Sequence, residues 1–310
     1  MKKSVENNRY VGKKVYLSSM KKWLIGLAGL FAAALIGQAA DLERQTVRYK
    51  GETRTYWMYV PEGASQQTPL VLVLHGYGGK AEGYCPQMLE VARREGFAVC
   101  YPQGERDHRG NPCWNVGYVF QQDSLKRDDV GFLRFLVSHL RKNYGLSREN
   151  AFLTGMSNGG EMCYLMAYLH PETFNAYAPI AGLTMTWFYK ELKVKKPVPM
   201  MEVHGTADHT SEWNGDPADE GGWGPYVAVP AAVAVWSAAA RCTHEQTVQM
   251  PPKGEHPVTL HRYVGGYPAW KGGPDIEVRL YEVRDGKHSW AHQDMDTCAE
   301  IWDFFRQYLK

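Results

Sequence analysis

Apolar and polar positions alternate on both sides of Gly51-Glu52 in TVRYKGETRTYWMYVP, the period-two pattern of a hairpin. The run PLVLVLHG, residues 69–76, is continuously apolar instead, as a strand covered on both faces is. A helix is predicted near Cys85 to Arg94, then the strand FAVCYP, then a helix opened by Asp128-Asp129. In that helix Val130, Leu133, Leu136, Val137 and Leu140 recur at helical spacing, and Gly145 can end it.

The same reading predicts the strand NAFLTG, a helix from Asn158 to about His170, and the strands AYAPIAG and PMMEVHG. A helix around Ala231 to Arg241, the strand EVRLYEV and a last helix from Thr297 to Tyr308 complete it. Strands alternating with helices imply an α/β fold, a mostly parallel sheet with helices on both faces, and one domain over residues 40–310 accounts for all of them. No internal repeat, heptad run or low-complexity tract is visible.

The N-terminus has a different character. From Met20 two lysines precede an apolar run from Trp23 to Ile36, followed by the small-x-small pattern Gly37-Gln38-Ala39. Residues 1–39 therefore read as a secretory signal peptide starting at Met20 and cut after Ala39 or Ala40, which places the protein outside the cytoplasm, secreted or periplasmic. The run is short for a spanning helix, so no membrane span is expected after signal removal. The whole chain has 35 Lys and Arg against 33 Asp and Glu. Without residues 1–39 the balance is mildly acidic, and no basic patch with interleaved aromatics suggests nucleic acid.

All six cysteines (Cys85, Cys100, Cys113, Cys163, Cys242 and Cys298) follow the signal. Cys100 and Cys163 sit in apolar contexts and read as buried small hydrophobes, and Cys242 with Cys298 is the candidate bridge. No spacing resembles a zinc site. Asp216, Asp219 and Glu220 do not form a calcium loop, so neither metal nor organic cofactor is expected.

The candidate chemistry lies in Gly155-Met156-Ser157-Asn158-Gly159, a G-x-S-x-G between a predicted strand and a predicted helix. A turn that sharp needs glycines beside the serine, and it holds the hydroxyl above the sheet as a nucleophile. A serine needs a base and a carboxylate to orient that base. Asp208, just beyond the end of PMMEVHG, is the candidate acid, with Asp216 as the alternative. His288, on the last loop before the terminal helix, is the candidate base, with His292 as its rival. His75 precedes the serine and is read as bracing its loop. In HGYGG the glycines let the backbone approach a ligand, so the amides of Tyr77 and Asn158 are the candidate oxyanion donors. The long connection 210–230 is expected to line or cover the cleft. Trp114, Trp223, Tyr226 and Trp290 are the candidate aromatic wall for an acyl group or a sugar face.

The ordered set VLVLHGYGG, GFAVCYPQG, CWN, DDVGFLRFLVSHL, GMSNGG, FNAYAPIAG, VHGTAD and GKHSWAH resembles the secreted α/β-hydrolase esterases related to polyhydroxybutyrate depolymerases and to the feruloyl and acetylxylan esterases of carbohydrate esterase family 1. It spans nearly all of Val71 to Phe305. The resemblance implies an α/β-hydrolase fold with Ser157, Asp208 and His288 as nucleophile, acid and base, and an acylated oligo- or polysaccharide substrate. Feruloyl or acetyl esters of xylan come first, a polyester is the alternative, and an inactive carbohydrate-binding homologue is the reading from another class. Where the family usually has glycine before the histidine and often proline after the tryptophan, this chain has Lys287 and Ala291.

Overall fold

The structure, a computed structural model, describes residues 42–121 and 127–310. The signal segment 1–39 and its boundary lie outside the described residues. Arg44–Lys310 make one compact unit.

Ten strands form one sheet in the order β1-β2-β4-β3-β7-β8-β9-β12-β11-β10. β1 (Glu43–Tyr49) and β2 (Glu52–Tyr59) are the expected hairpin, turning through Lys50 and Gly51, both at positive φ. β3 (Leu70–Leu74), β4 (Ala98–Pro102), β7 (Ala151–Met156), β8 (Ala176–Ile180), β9 (Met200–Gly205) and β12 (Val278–Val283) run parallel to one another. β3, β4, β8 and β9 are buried at every position, which explains why their sequences do not alternate. β5 (Glu105–Arg106) and β6 (Pro112–Cys113) pair separately.

Helices α1 (Pro86–Glu95), α2 (Asp129–Asn143), α3 (Asn158–Leu169), α5 (Val229–Ala240) and α6 (Thr297–Phe305) follow the predicted pattern. Asp128 caps α2 by accepting from the Gly131 N–H at 2.7 Å. The predicted elements do not include the short α4 (Thr186–Glu191), the antiparallel edge strand β10 (His244–Gln249) or its antiparallel neighbour β11 (Val258–Val264). β10 is exposed at every position, so no apolar face marked it, although the alternation in VTLHRYV was a signal for β11.

The topology positions the site. The chain moves one way along the sheet from β3 through α1 to β4, and the opposite way from β4 through α2 to β7 and onward. Right-handed crossovers then put α1 on one face and α2, α3 and α5 on the other, and α6 packs beside α1. The reversal lies between β3 and β7, so the loops leaving those two strands part at one end of the sheet and open a crevice there. These loops carry HGYGG and Ser157.

Candidate active site

Ser157 stands between β7 and α3 at φ 56 and ψ −124, backbone that a side chain adopts at a cost of about 1–3 kcal/mol. Its N–H donates to Ile180 O at 2.8 Å, and its carbonyl accepts from the Glu161 N–H at 2.9 Å, which pins the turn at both ends. The flanking glycines are required by close approach. A Cβ on Gly159 would lie 2.5 Å from Leu74 O, and one on Gly155 would lie 2.7 Å from Leu74 Cβ. The backbone of Gly76 passes so near that a Cβ there would sit 3.2 Å from Ser157 Cβ.

The HGYGG loop is braced from beneath, as its histidine suggested. Buried His75 accepts at Nε2 from the Gly104 N–H at 2.9 Å, so its proton is on Nδ1, donated to Gly76 O at 2.7 Å. Burial holds the His75 pKa below the ordinary value and keeps the ring neutral. The Tyr77 hydroxyl donates to Asp107 Oδ2 at 2.6 Å, and the Tyr77 N–H donates to no backbone carbonyl among the described residues. Asn158 is the first residue of α3, whose opening N–H groups have no intrahelical acceptor.

Asp208 and His288, 80 residues apart in the chain, meet beyond the ends of β9 and β12, where His288 Nδ1 lies 2.7 Å from Asp208 Oδ2. Asp208 Oδ1 accepts from the Thr210 and Ser211 N–H groups, each at 2.8 Å. Burial works against the charge on Asp208, but hydrogen bonding to His288 and to the Ser211 amide outweighs it and holds the pKa below the usual carboxylate value. No hydrogen bond joins Ser157 Oγ to His288 among the described residues. The alternatives are engaged elsewhere: Asp216 accepts from the Glu220 and Gly221 N–H groups inside its own turn, and His292 Nε2 faces Cys85 Sγ at 3.9 Å. Ala291 has φ 56, which proline cannot adopt, so this loop as folded has no place for the proline that the resemblance leads one to expect there.

Two members of the expected aromatic wall are core residues instead. Trp114 is fully buried, its indole N–H donating to His75 O at 3.0 Å and its backbone clamped by the Asn158 side chain. Tyr226 is buried within the 210–230 connection to which it belongs, its hydroxyl accepting from the Glu212 N–H at 3.1 Å. An aromatic in a loop sequence does not reveal which side of the loop it will occupy. Trp223 and Trp290 are half-buried: Trp223 packs on Tyr77, Tyr118 and Phe120, and Trp290 stacks on His292.

The cysteine expectation also changes. Cys298 Sγ lies 3.4 Å from Cys85 Sγ, whereas Cys242 Sγ faces Ile276 O, and all six thiols are free. With His292 these two sulfurs form a group whose donor atoms lie within 4.8 Å of one another. Chain spacing could not show it, because the partners are more than 200 positions apart.

Sequence reasoning missed three buried polar residues near the site, Glu161, Glu202 and His204. The signal was present: a glutamate and a histidine inside the otherwise apolar PMMEVHG, and a glutamate in the first turn of an almost wholly apolar helix. Burial pushes the Glu161 pKa up to about 7 despite hydrogen bonds from Tyr118 and Asn158. The folded state therefore keeps this proton when the unfolded chain has lost it. The resulting stability is complete below the unfolded value of 4.5 and is lost as pH rises through about 7. Glu161→Gln should make stability less sensitive to pH, by about 3 kcal/mol between pH 5 and 8. Urea unfolding at the two pH values checks this; parallel losses in both proteins would contradict it.

Residues 54–194 match the model of the family described as Esterase PHB depolymerase. The putative esterase NocK of Nocardia uniformis subsp. tsuyamanensis is 26% identical over 272 residues, which cover 77% of this chain and 76% of that protein. The bifunctional acetylxylan esterase/xylanase XynS20E of Neocallimastix patriciarum is 27% identical over 164 residues, which cover 52% of this chain but only 22% of that enzyme. Among solved structures, the acetyl xylan esterase from Aspergillus awamori superposes with a TM-score of 0.60 at 16% identity, over 86% of this chain and 99% of that one. The fold is the α/β-hydrolase fold.

Proposed function

We propose, from the premise that this chain is a carboxylic ester hydrolase of the α/β-hydrolase fold resembling the esterase PHB depolymerases, that it is an exported serine esterase acting on acetyl or feruloyl esters of xylan. The observation that carries the serine chemistry is the Asp208–His288 hydrogen bond at the strand ends that also present the Ser157 turn. In this reading Ser157 Oγ attacks the ester carbonyl while His288 Nε2 takes its proton, and Asp208 stabilises the imidazolium through Nδ1. The Tyr77 and Asn158 amides hold the oxyanion, the alcohol leaves with the proton from His288, and an acyl-enzyme remains. Water activated by His288 then releases the acid and restores Ser157.

The signal-like segment supports export, and XynS20E, an acetylxylan esterase/xylanase by name, supports the acetyl group. Half-buried Trp223 and Trp290 offer edges for a sugar or phenolic ring, and among the described residues no helix is long and apolar enough to cross a membrane. A panel of acetylated xylan, methyl ferulate, 4-nitrophenyl acetate and polyhydroxybutyrate tests the assignment. The highest kcat/KM is expected on acetylated xylan or methyl ferulate, and preference for the polymer would replace this substrate with a polyester. No turnover, together with no labelling of Ser157 by a fluorophosphonate, would leave a binding protein on a hydrolase scaffold.

A further inference from the structure

His204, in β9, is buried, and both of its ring nitrogens face acceptors. Nδ1 lies 2.8 Å from Glu202 Oε1, and Nε2 lies 2.7 Å from the carbonyl oxygen of Ser211. A neutral imidazole has one N–H and can satisfy only one acceptor; a doubly protonated ring satisfies both. The extra proton could rest on Glu202 instead. Burial pushes the Glu202 pKa above the usual carboxylate value, yet Glu202 also accepts from the Tyr164 hydroxyl at 3.0 Å and the Gly182 N–H at 3.3 Å, and three converging donors oppose that push and support the carboxylate beside the imidazolium. Asp208 Oδ2 adds a second negative charge 3.6 Å from His204 Nε2. Burial alone would lower the His204 pKa, but the Glu202 carboxylate outweighs it and the net direction is upward.

The oxygen of Asp208 that faces His204 is the one that holds His288. Glu202, His204, Asp208 and His288 thus form one line of alternating acids and bases, running from the buried strand to the half-exposed loop. The Ser211 carbonyl that anchors His204 belongs to the residue whose N–H binds Asp208 Oδ1, so the same ring also fixes the 208–211 turn.

We infer that Glu202 and His204 are positioning residues for hydrolysis, a buried carboxylate–imidazolium pair that holds Asp208 in place and weakens its hold on the proton of His288. The inference rests on the esterase reading above. Besides Asp208 and His288, the titratable groups facing the four-residue line are Glu161, Cys163 and Tyr164 of α3 and Tyr226 of the covering loop.

The sign follows from which charge is nearer. His204 lies between Glu202 and Asp208, so the cation dominates the field at Asp208. In Glu202→Gln the amide can donate to His204 Nδ1 and leave the ring neutral, with the Ser211 contact intact. Asp208 then stabilises protonated His288 more strongly, and the base is protonated up to a higher pH. The acid limb of kcat/KM should move upward by about 0.5 to 1 pH unit, a loss of roughly 3- to 10-fold on the limb that recovers at higher pH. A merely structural role would lower the rate at every pH without moving the midpoint.

The test is the pH profile of kcat/KM for the unmodified protein and Glu202→Gln on 4-nitrophenyl acetate, with folding checked by circular dichroism. A midpoint that stays put or moves downward overturns the inference. If the variant does not fold, 15N imidazole chemical shifts of the unmodified protein decide: His204 is expected to carry two N–H protons at pH 7, and a single neutral tautomer at that pH overturns the inference. An unmodified protein that hydrolyses no ester counts against the esterase reading, whereas the 15N result tests the charge on His204 without any turnover.

Discussion

Ser157→Ala is expected to lower kcat for ester hydrolysis by about 10⁶-fold while leaving the fold intact. The loss is large because no other group in the proposed mechanism can carry the acyl intermediate. The fold should survive because the Ser157 hydroxyl makes no hydrogen bond among the described residues, so its removal leaves no buried partner unsatisfied. The strained backbone at φ 56 is the same for alanine as for serine, and its anchors, Ile180 O and the Glu161 N–H, belong to the main chain. Steady-state turnover of 4-nitrophenyl acetate and a thermal melt are the two measurements. Turnover within tenfold of the unmodified protein would remove Ser157 from the chemistry, and a large drop in melting temperature would mean that the hydroxyl has a structural role.

Asp208→Asn should cost about 10⁴-fold in kcat, through the wrong tautomer rather than through lost structure. Asp208 Oδ1 accepts two backbone N–H groups, and an asparagine oxygen will take that position. Its NH2 group is then turned toward His288 Nδ1, 2.7 Å from the present Oδ2. A donor there forces the His288 proton onto Nε2, the nitrogen that must accept from Ser157. The same NH2 also faces His204 Nε2, itself a donor, so part of the loss should appear as stability. A variant retaining more than a tenth of the activity would remove Asp208 from its assigned role; 15N shifts of His288 would show the tautomer directly.

These predictions concern a turn whose parts differ in how they can be read. The elbow glycines were legible because close packing between β7, α3 and the end of β3 tolerates no side chain at Gly155 or Gly159, and that demand appears as residue type. Trp114 and Tyr226 were not legible in the same way. Each is an aromatic in a segment without regular periodicity, and burial there depends on what the segment folds onto: Asn158 and His75 for one, the Glu212 turn of its own 210–230 connection for the other. Cys298 found Cys85 rather than Cys242 for a similar reason, since the start of α6 packs beside the residue that precedes α1.

By itself the sequence determined the repeating elements, the parallel core strands and the turn that carries Ser157, because all of these rest on periods of two or 3.6 residues and on local steric demands. Only the tertiary structure decided that Asp208 rather than Asp216 meets a histidine, that His288 rather than His292 is the one it meets, and that His204 lies behind them between two carboxylates. Those pairings join residues far apart in the chain or held in one loop geometry among several. They are set by where the ends of β9 and β12 come to rest, which no local pattern encodes.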